Sequence, residues 1–400
     1  MAGMRSTITA VLSLIVLTSS AYAAEFVTLG PRALGMGGAH VAVASDATAI
    51  HWNPAGLSAR QRRTDLRAHA GMAVKDRSRF ADLWNDIDEI LAGRAINDPS
   101  FYTDSADVEQ LVDILRRLDE GNVSMDLNGR AGVVASTGIK GFAMALGVTG
   151  IGYANAVPRL DLVNVKAIPP FLDPQSIANN TSEIDLTALQ TIEYSLSAAH
   201  GFIGDTLHVG GTLKFIDAAT YFYTISAFNT SDTDIVDAVQ KNKRTGQDIT
   251  GDVGLIWVAT ERLRVGAVGK YLTGPTFSSA RGADIELAPQ FRVGAAFLPW
   301  RGATVALDMD ITENETLTQG YKERQVAAGF EQALGTRGKV LSDLFTIRAG
   351  MYKNIAESGT NVVGTAGIGL GLLGARIDIA GAYDFQKEEI GASANIGFQW

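Results

Sequence analysis

Along most of the chain, apolar residues recur at every second position rather than every third or fourth. Leu263, Val265, Ala267 and Tyr271 alternate with Arg264, Gly266 and Lys270. Phe291, Val293, Ala295 and Phe297 alternate with Arg292, Gly294 and Ala296. Ala303, Val305, Leu307, Met309 and Ile311 alternate with Thr304, Asp308 and Asp310, and Ala375, Ile377, Ile379 and Tyr383 with Arg376, Asp378 and Asp384. Successive side chains leave a strand on opposite sides, so each run predicts a strand with one apolar and one polar face. Runs of this kind predict fourteen strands, at 64–75, 129–139, 141–153, 190–202, 205–223, 246–259, 262–273, 289–298, 302–312, 322–333, 343–354, 360–372, 375–385 and 390–400. The fold class is all-β.

A soluble β-sandwich shares this alternation, so the connections have to choose. Thr260-Glu261, Leu298-Pro299-Trp300-Arg301 and Leu373-Gly374 are tight turns, whereas 76–128, 154–189, 224–245 and 274–288 are long. Short turns at one end and long loops at the other, with an even strand count, predict a 14-stranded antiparallel transmembrane β-barrel of the bacterial outer membrane. The connection 334–342 is longer than that rule wants at the short-turn end. Trp257, Phe297, Trp300 and Trp400 fall at the strand ends expected near the periplasm, where an aromatic girdle belongs. In the last run Ile390, Ala392, Ala394, Ile396, Phe398 and Trp400 alternate with Gly391, Ser393, Asn395, Gly397 and Gln399. A terminal aromatic on such a strand resembles the signal read by the barrel assembly machinery, which makes Phe398 and Trp400 the expected assembly signal.

Composition narrows the picture further. Residues 1–23 read as a signal peptide: Met4-Arg5, an apolar run from Ile8 to Leu17, then Ala21-Tyr22-Ala23 as cleavage pattern. The mature chain is expected to begin at Ala24. That apolar run is about half the ~20 residues a membrane-spanning helix needs, and no later stretch approaches such a length. The chain has no cysteine, which excludes disulfides, thiolate metal sites and cysteine nucleophiles. A net charge of −9 argues against nucleic acid as a partner.

Residues 24–60 do not alternate. Gly30-Pro31-Arg32-Ala33-Leu34-Gly35-Met36-Gly37-Gly38-Ala39 is glycine-rich, and Ser45-Asp46-Ala47-Thr48-Ala49 and Trp52-Asn53-Pro54-Ala55-Gly56-Leu57 follow. The glycine spacing is wrong for a phosphate cradle, and no Lys-Ser/Thr follows it. Small residues permit close backbone approach, and the Asn-Pro step sets a turn. These runs resemble the N-terminal hatch of the FadL/TodX family of outer-membrane hydrophobic-compound transporters. The same hatch occurs in PorV-type barrels and in conjugal transfer TraF-type proteins. The resemblance implies a fourteen-stranded barrel, 61–400, with a hatch inside its lumen, and makes Gly35, Gly37, Gly38, Asp46, Asn53, Pro54 and Ala55 the hatch motif.

The segment 80–121 stands apart. Leu83, Ile87, Ile90 and Leu91 repeat at helical spacing, as do Val108, Leu111, Val112, Leu115 and Leu118, among Asp82, Asp86, Asp88, Glu89, Asp107, Glu109, Asp113, Asp119 and Glu120. Two amphipathic helices are expected there, as an extracellular insertion that packs on itself, caps the mouth or docks a partner. Its position after the first strand resembles the TraF-type group.

No enzyme is legible. His40, His51, His69, His200 and His208 are scattered without metal-ligand spacing, and there is no G-x-S-x-G elbow. Ser197 and His200 are three apart, so a strand would place them on opposite faces. Neither a metal nor a cofactor is expected. Arg264, Lys270, Arg292, Asp308, Asp310, Glu331, Arg348, Arg376, Asp378 and Asp384 lie opposite the apolar stripes and are expected to face the lumen. They serve either as ion pairs holding hatch and wall or as a polar channel wall meeting an amphipathic ligand. The hatch resemblance implies passive uptake of a hydrophobic or amphipathic small molecule, such as a long-chain fatty acid. The alternative is an outer-membrane component supporting conjugal transfer or secretion, with a protein partner at the extracellular loops. Outer-membrane lipid is the surrounding partner in both.

Overall fold

The structure is a computed structural model describing residues 28, 30–59, 64–91, 105–120, 123–139, 142–161, 181–226, 241–318, 320–334, 344–386 and 389–400. The expected signal segment 1–23 lies outside the described residues.

Fourteen antiparallel strands form one closed barrel. They are β1 Asp65–Arg77, β2 Ser124–Ile139, β3 Phe142–Arg159, β4 Glu183–Phe202, β5 Leu207–Ser226, β6 Arg244–Val258 and β7 Leu263–Lys270. The circuit continues with β8 Gln290–Phe297, β9 Ala303–Asp310, β10 Gln325–Leu334, β11 Phe345–Asn354, β12 Val362–Leu372, β13 Ala375–Asp384 and β14 Glu389–Gln399. Each strand pairs with its sequence neighbours, and β14 closes on β1 in a register running from Asp65↔Gln399 to Lys75↔Glu389. Closure leaves no free edge, the condition for crossing a bilayer with strands.

The period-two pattern decides which way each strand faces. Leu146, Leu196, Leu213, Ile249, Leu307, Leu370 and Ile377 are exposed on the outside, whereas Thr149, Ser197, Thr212, Asp252, Asp308 and Asp378 are buried within. Exposed apolar and buried ionic side chains invert the soluble-protein arrangement, which identifies the outside as lipid-facing and the barrel as an outer-membrane one. Trp257, Phe297, Trp300, Phe398 and Trp400 are exposed at the end with the tight turns. His200 faces out, its ring 4.7 Å from that of Phe202, while Ser197 faces in and bonds Thr212.

All fourteen expected strands are present, with two differences of extent. The strands β2 to β4 run further toward the long connections than expected. In these added stretches Ser124, Asp126, Asn155, Asp185 and Thr187 point inward, alternating with Met125, Leu127, Ala154, Leu186 and Ala188, and Leu189 is the one buried apolar side chain they turn into the lumen. The second difference corrects a placement: Tyr271 does not extend the outward stripe of β7. The strand stops at Lys270, Tyr271 takes φ 51°, and its ring turns into the lumen.

Within the barrel lie α1 Pro31–Gly35, α2 Ala49–Trp52 and a short 3-10 turn, Pro54–Leu57. The connection after β1 forms α3 Phe80–Leu91 and α4 Ser105–Glu120. Phe80, Leu83, Leu111, Ile114, Leu115 and Leu118 pack these two helices together, with Val123 and Met125 beneath. Two further long connections, 271–289 and 311–324, each fold into a two-residue strand pair, Thr276–Phe277 with Ile285–Glu286 and Asn314–Glu315 with Lys322–Glu323.

Candidate functional site

The N-terminal segment, residues 30–58, is buried almost throughout. Pro31 opens α1, where its missing N–H costs nothing. Gly37 and Gly38, at φ 66° and 86°, close it by donating to Leu34 and Ala33 carbonyls. Asp46 accepts from the Thr48 amide at 2.9 Å and from its hydroxyl, turning the chain into α2. Asn53 is extended, at φ −157°, and its side-chain oxygen accepts from the Ala55 amide at 3.2 Å.

Small residues let this backbone lie directly on the wall. A Cβ at Gly254 of β6 would sit 2.0 Å from Asn53 Oδ1, and one at Gly210 of β5 would sit 2.4 Å from the Pro54 carbonyl carbon. At Gly329 and Gly350 it would meet the Met36 backbone at 2.4 and 2.3 Å, and at Gly266 the Val41 carbonyl at 2.9 Å. Gly35 itself lies 3.2 Å from Gly367 by the same measure. Segment and wall therefore fit backbone to backbone, glycine by glycine.

Polar contacts fill the remaining sides. Asn53 Nδ2 lies 3.0 Å from the Val41 carbonyl, 3.1 Å from that of Leu255 on β6 and 3.3 Å from that of Ala267 on β7. Asp308 Oδ2 on β9 accepts from the His40 and Val41 amides at 2.7 and 2.8 Å. Thr365 on β12 accepts from the Gly37 amide at 3.0 Å, and Asp65 on β1 from the Ala47 amide at 3.0 Å. His51 meets Thr149 of β3, and Ser58 meets His208 of β5, each at 3.0 Å.

An alternating chain of charge ties the segment to β1, β10, β11 and β13. Arg32 grips Glu331 through two nitrogens, at 2.9 and 2.8 Å. Glu331 takes Arg348 at 2.7 Å, Arg348 takes Asp378 at 2.9 Å, and Asp378 also holds Arg376. Arg67 of β1 lies 3.1 Å from Asp65, 3.6 Å from Asp46 and 3.9 Å from Asp378, which closes the chain back on the segment. Burial pushes the Asp46 carboxyl up, but Arg67 and Arg32 outweigh it and hold it well below the usual carboxylate range. Burial, reinforced by Arg32, pushes the His40 imidazole down to about 3. His51 is lowered too, by burial and then by His69, Lys214 and Lys270.

Above the segment, toward the long connections, the lumen changes character. Lys214 bridges Glu193 and Asp252 at 3.2 and 2.9 Å, and Tyr271 Oη donates to Glu193 at 2.7 Å. Lys270 lies 5.5 Å from the Tyr271 ring centre. Over this floor Ile151, Tyr153, Leu189, Ile216, Phe277, Ile285, Leu287 and Leu317 form one buried apolar cluster. Its roof is held by Thr318, whose hydroxyl contacts Asp126 at 3.0 Å, Arg77 at 3.1 Å and Asn155 at 3.2 Å.

The residues singled out by sequence fall into three places. Gly35, Gly37, Gly38, Asp46, Asn53, Pro54 and Ala55 lie in the segment–wall contact. Gly38 serves conformation rather than close packing, since its Cβ would meet nothing nearer than 3.6 Å. Arg348, Arg376 and Asp378 share the charge chain, Asp308 holds segment amides, and Arg292 pairs with Asp310 at 2.5 Å. Arg264 sits inward near the tight-turn end, apart from both groups. Phe398 and Trp400 are exposed on the outside of the closing strand. Sequence reasoning did not single out Arg32, Arg67, Glu193, Lys214 or Asp252. The alternation of Asp65, Arg67 and His69 with Leu66, Ala68 and Ala70 carried the signal for Arg67.

The family described as "F plasmid transfer operon, TraF, protein" matches residues 50–310, more than half of the chain. The chain belongs to this family. The match begins in α2, takes in the Asn53-Pro54-Ala55 turn and the two-helix connection, and ends with β9. Among solved structures, this TraF-family barrel is similar to the toluene transporter TbuX of Ralstonia pickettii, at 14% identity over 92% of this chain and 97% of that one, with a TM-score of 0.54. It is similar to the monoaromatic hydrocarbon channel CymD, at 15% identity over 94% and 98%, TM-score 0.55. It is also similar to a Pseudomonas aeruginosa FadL homologue, at 10% identity over 94% and 98%, TM-score 0.53. At such identities the likeness is one of fold, and that fold is the FadL/TodX-type barrel. No curated protein matches the sequence.

Proposed function

We propose that this TraF-family barrel is a passive outer-membrane channel for small hydrophobic or amphipathic molecules, with residues 30–58 as the hatch that closes its lumen. The observation that carries this reading is the apolar cluster around Tyr153, Leu189, Ile216 and Phe277. It lies between the long connections and the segment, over the buried Glu193–Lys214–Asp252 ion pairs. Burying apolar wall residues there stabilises the closed state by roughly 25 cal/mol per Å² of apolar surface. A hydrophobic ligand entering from outside offers the same wall the same burial, and so competes with Phe277, Ile285, Leu287 and Leu317 for it. The names of the similar barrels, a toluene transporter and a monoaromatic hydrocarbon channel, support this ligand class. The chain carries out no covalent chemistry in this reading. Uptake of labelled toluene and of a labelled long-chain fatty acid by cells expressing the protein tests it, and the two ligands separate compact from extended molecules. No gain over empty-vector cells for either would overturn the proposal.

The family description and one surface favour a second reading, an outer-membrane component supporting conjugal transfer or secretion. A cleft along α3 and α4 is lined by Asp86, Glu89, Asp107, Glu109 and Asp113 beside Ile90 and Ile114. Such a face suits docking at the cell surface. Unchanged uptake together with reduced plasmid transfer on deleting residues 80–121 would favour it over the channel.

A further inference from the structure

The end of the barrel that carries the tight turns presents two apolar side chains in a conformation that opposes them. Ile203 follows β4 at φ 53° and is 77% exposed. Leu373, between β12 and β13, has φ 52° and is also 77% exposed. Positive φ is disfavoured for any residue with a Cβ, and most for a β-branched one such as isoleucine. A two-residue hairpin turn such as Leu373-Gly374 draws asparagine, aspartate or glycine at both positions, and the four-residue β4–β5 turn holds Ile203, Gly204 and Asp205 all at positive φ. The fold gains no packing from either side chain, since both stand clear of the protein. Exposed apolar side chains held at a strained position call for a partner outside the chain.

The two tips are placed so as to select that partner. Eight strands separate the β4–β5 turn from the β12–β13 turn in a ring of fourteen, so they stand on nearly opposite sides of the barrel. With strands about 4.8 Å apart and tilted by about 40°, that separation is roughly 25–30 Å. One protein patch covers both only if it spans the whole base, whereas a lipid leaflet surrounds it. Each tip also adjoins the lipid-facing belt, which outward-facing His200 interrupts on β4 just before Phe202. Ile203 follows Phe202, 46% exposed, and Leu373 follows Leu372, 56% exposed. Asp205 is the one charged residue in these two turns and is exposed beside Ile203, whereas Glu261 and Arg262 put two exposed charges on the β6–β7 turn, and Arg301 is exposed between β8 and β9.

We propose that Ile203 and Leu373 are membrane anchors, which insert the β4–β5 and β12–β13 turns into the headgroup–acyl boundary of the periplasmic leaflet. The partner is phospholipid. Two opposed anchors fix the depth of the barrel and limit its tilt, while the Glu261–Arg262 turn stays in water.

The absence of cysteine makes the test direct. Full-length I203C, L373C and E261C, each labelled with an environment-sensitive fluorophore, are reconstituted into phosphatidylcholine–phosphatidylglycerol vesicles. The probes at 203 and 373 are expected to emit blue-shifted light and to be quenched severalfold more than that at 261 by phosphatidylcholine brominated on its acyl chains. Water-like, unquenched emission at both tips would overturn the proposal, as would shielding that arises only when a soluble periplasmic fraction is added. A second variant guards against a purely structural role. Asparagine accepts positive φ, so I203N/L373N is expected to melt in detergent micelles no lower than the parent, yet to show a lower denaturant midpoint in vesicles. An equal fall in both media would assign the side chains to the fold rather than to lipid.

Discussion

The glycines of the wall make a sharp test of how the segment is held. At Gly254 an added methyl would lie 2.0 Å from Asn53 Oδ1 and 2.8 Å from Pro54 Cδ. Neither neighbour can give way, because Asn53 is held by three carbonyls and Pro54 is a rigid ring. Overpacking of this kind costs roughly 1–3 kcal/mol. Displacing Asn53 adds about 1 kcal/mol for each hydrogen bond lost. Gly254→Ala should therefore weaken docking of the segment by about 3–5 kcal/mol, which is on the order of a hundredfold to a thousandfold in the docked-to-released ratio. The wall itself loses nothing, since alanine is compatible with a strand. Gly129→Ala is the matched control: it lies on the outside of β2 with nothing within 4 Å of the new methyl. Both variants are refolded in detergent and compared by heat-modifiable gel mobility, which reads the barrel, and by limited proteolysis between residues 30 and 60, which reads the segment. The expectation is two intact barrels, with the segment of Gly254→Ala cleaved at least a hundredfold faster. Equal protection in Gly254→Ala and Gly129→Ala would refute the idea that backbone contact at the glycines holds the segment.

Three further outcomes follow from the same geometry. Asn53→Asp keeps the shape but replaces the amide donor with an acceptor facing three carbonyls, so it should release the segment by at least as much as Gly254→Ala; proteolysis reads this, and parent-like protection would count against it. Thr318→Val removes the hydroxyl from Asp126, Arg77 and Asn155 and should lower stability by roughly 2 kcal/mol, with faster cleavage of the 311–324 connection and, if the barrel is a channel, faster uptake. Acid should loosen the segment in two stages. His40, faced by Arg32 and Arg348 as well as by Asp46 and Glu331, has its pKa lowered to about 3, so its contribution is complete above roughly pH 6.5 and is lost as pH falls toward 3. Asp46 is also lowered, so its contribution is present above roughly pH 4 and is lost only below that. His40→Gln should shrink the first stage of a Trp52 fluorescence titration, leaving the share of the similarly lowered His51 and the whole second stage, and an unchanged profile would exclude His40 as a source.

The barrel was legible because alternation is a local signal. Ile390 to Trp400 states the closing strand in eleven residues, with no reference to the rest of the chain. The ends of the strands were less legible. The expected β3 stopped at Tyr153, but the strand runs on through Pro158 to Arg159, and a proline, which lacks an N–H, argues locally against a strand. Tyr271 was misplaced for a related reason: it sits at the next outward position by count, and only a positive φ turns it inward. Partners were not legible. Arg32 and Glu331 are 299 residues apart, and Asn53 and Leu255 are 202 apart, so their meeting depends on the register of the whole ring. Sequence showed that Arg348 and Asp378 face one lumen, but not that they share one chain of charge with Arg67 and Asp46.

If the barrel is a channel, the same contacts limit how it opens. Eight strands hold the segment by direct side-chain hydrogen bonds: β1, β3, β5, β6, β7, β9, β10 and β12. Taking about 1 kcal/mol for each hydrogen bond, and more for Arg32 with Glu331, complete ejection costs on the order of 10 kcal/mol. At about 1.4 kcal/mol per factor of ten, the ejected state is then populated roughly once in 10⁷. Passive flux through so rare a state is negligible, and a diffusing ligand supplies no external work. The apolar roof is different. Phe277, Ile285, Leu287 and Leu317 come from two loop connections whose two-residue strand pairs are marginal alone, and a ligand replaces the burial they give up. Entry therefore begins at the roof, and any passage beyond it has to run along the segment through local rearrangement rather than through its removal.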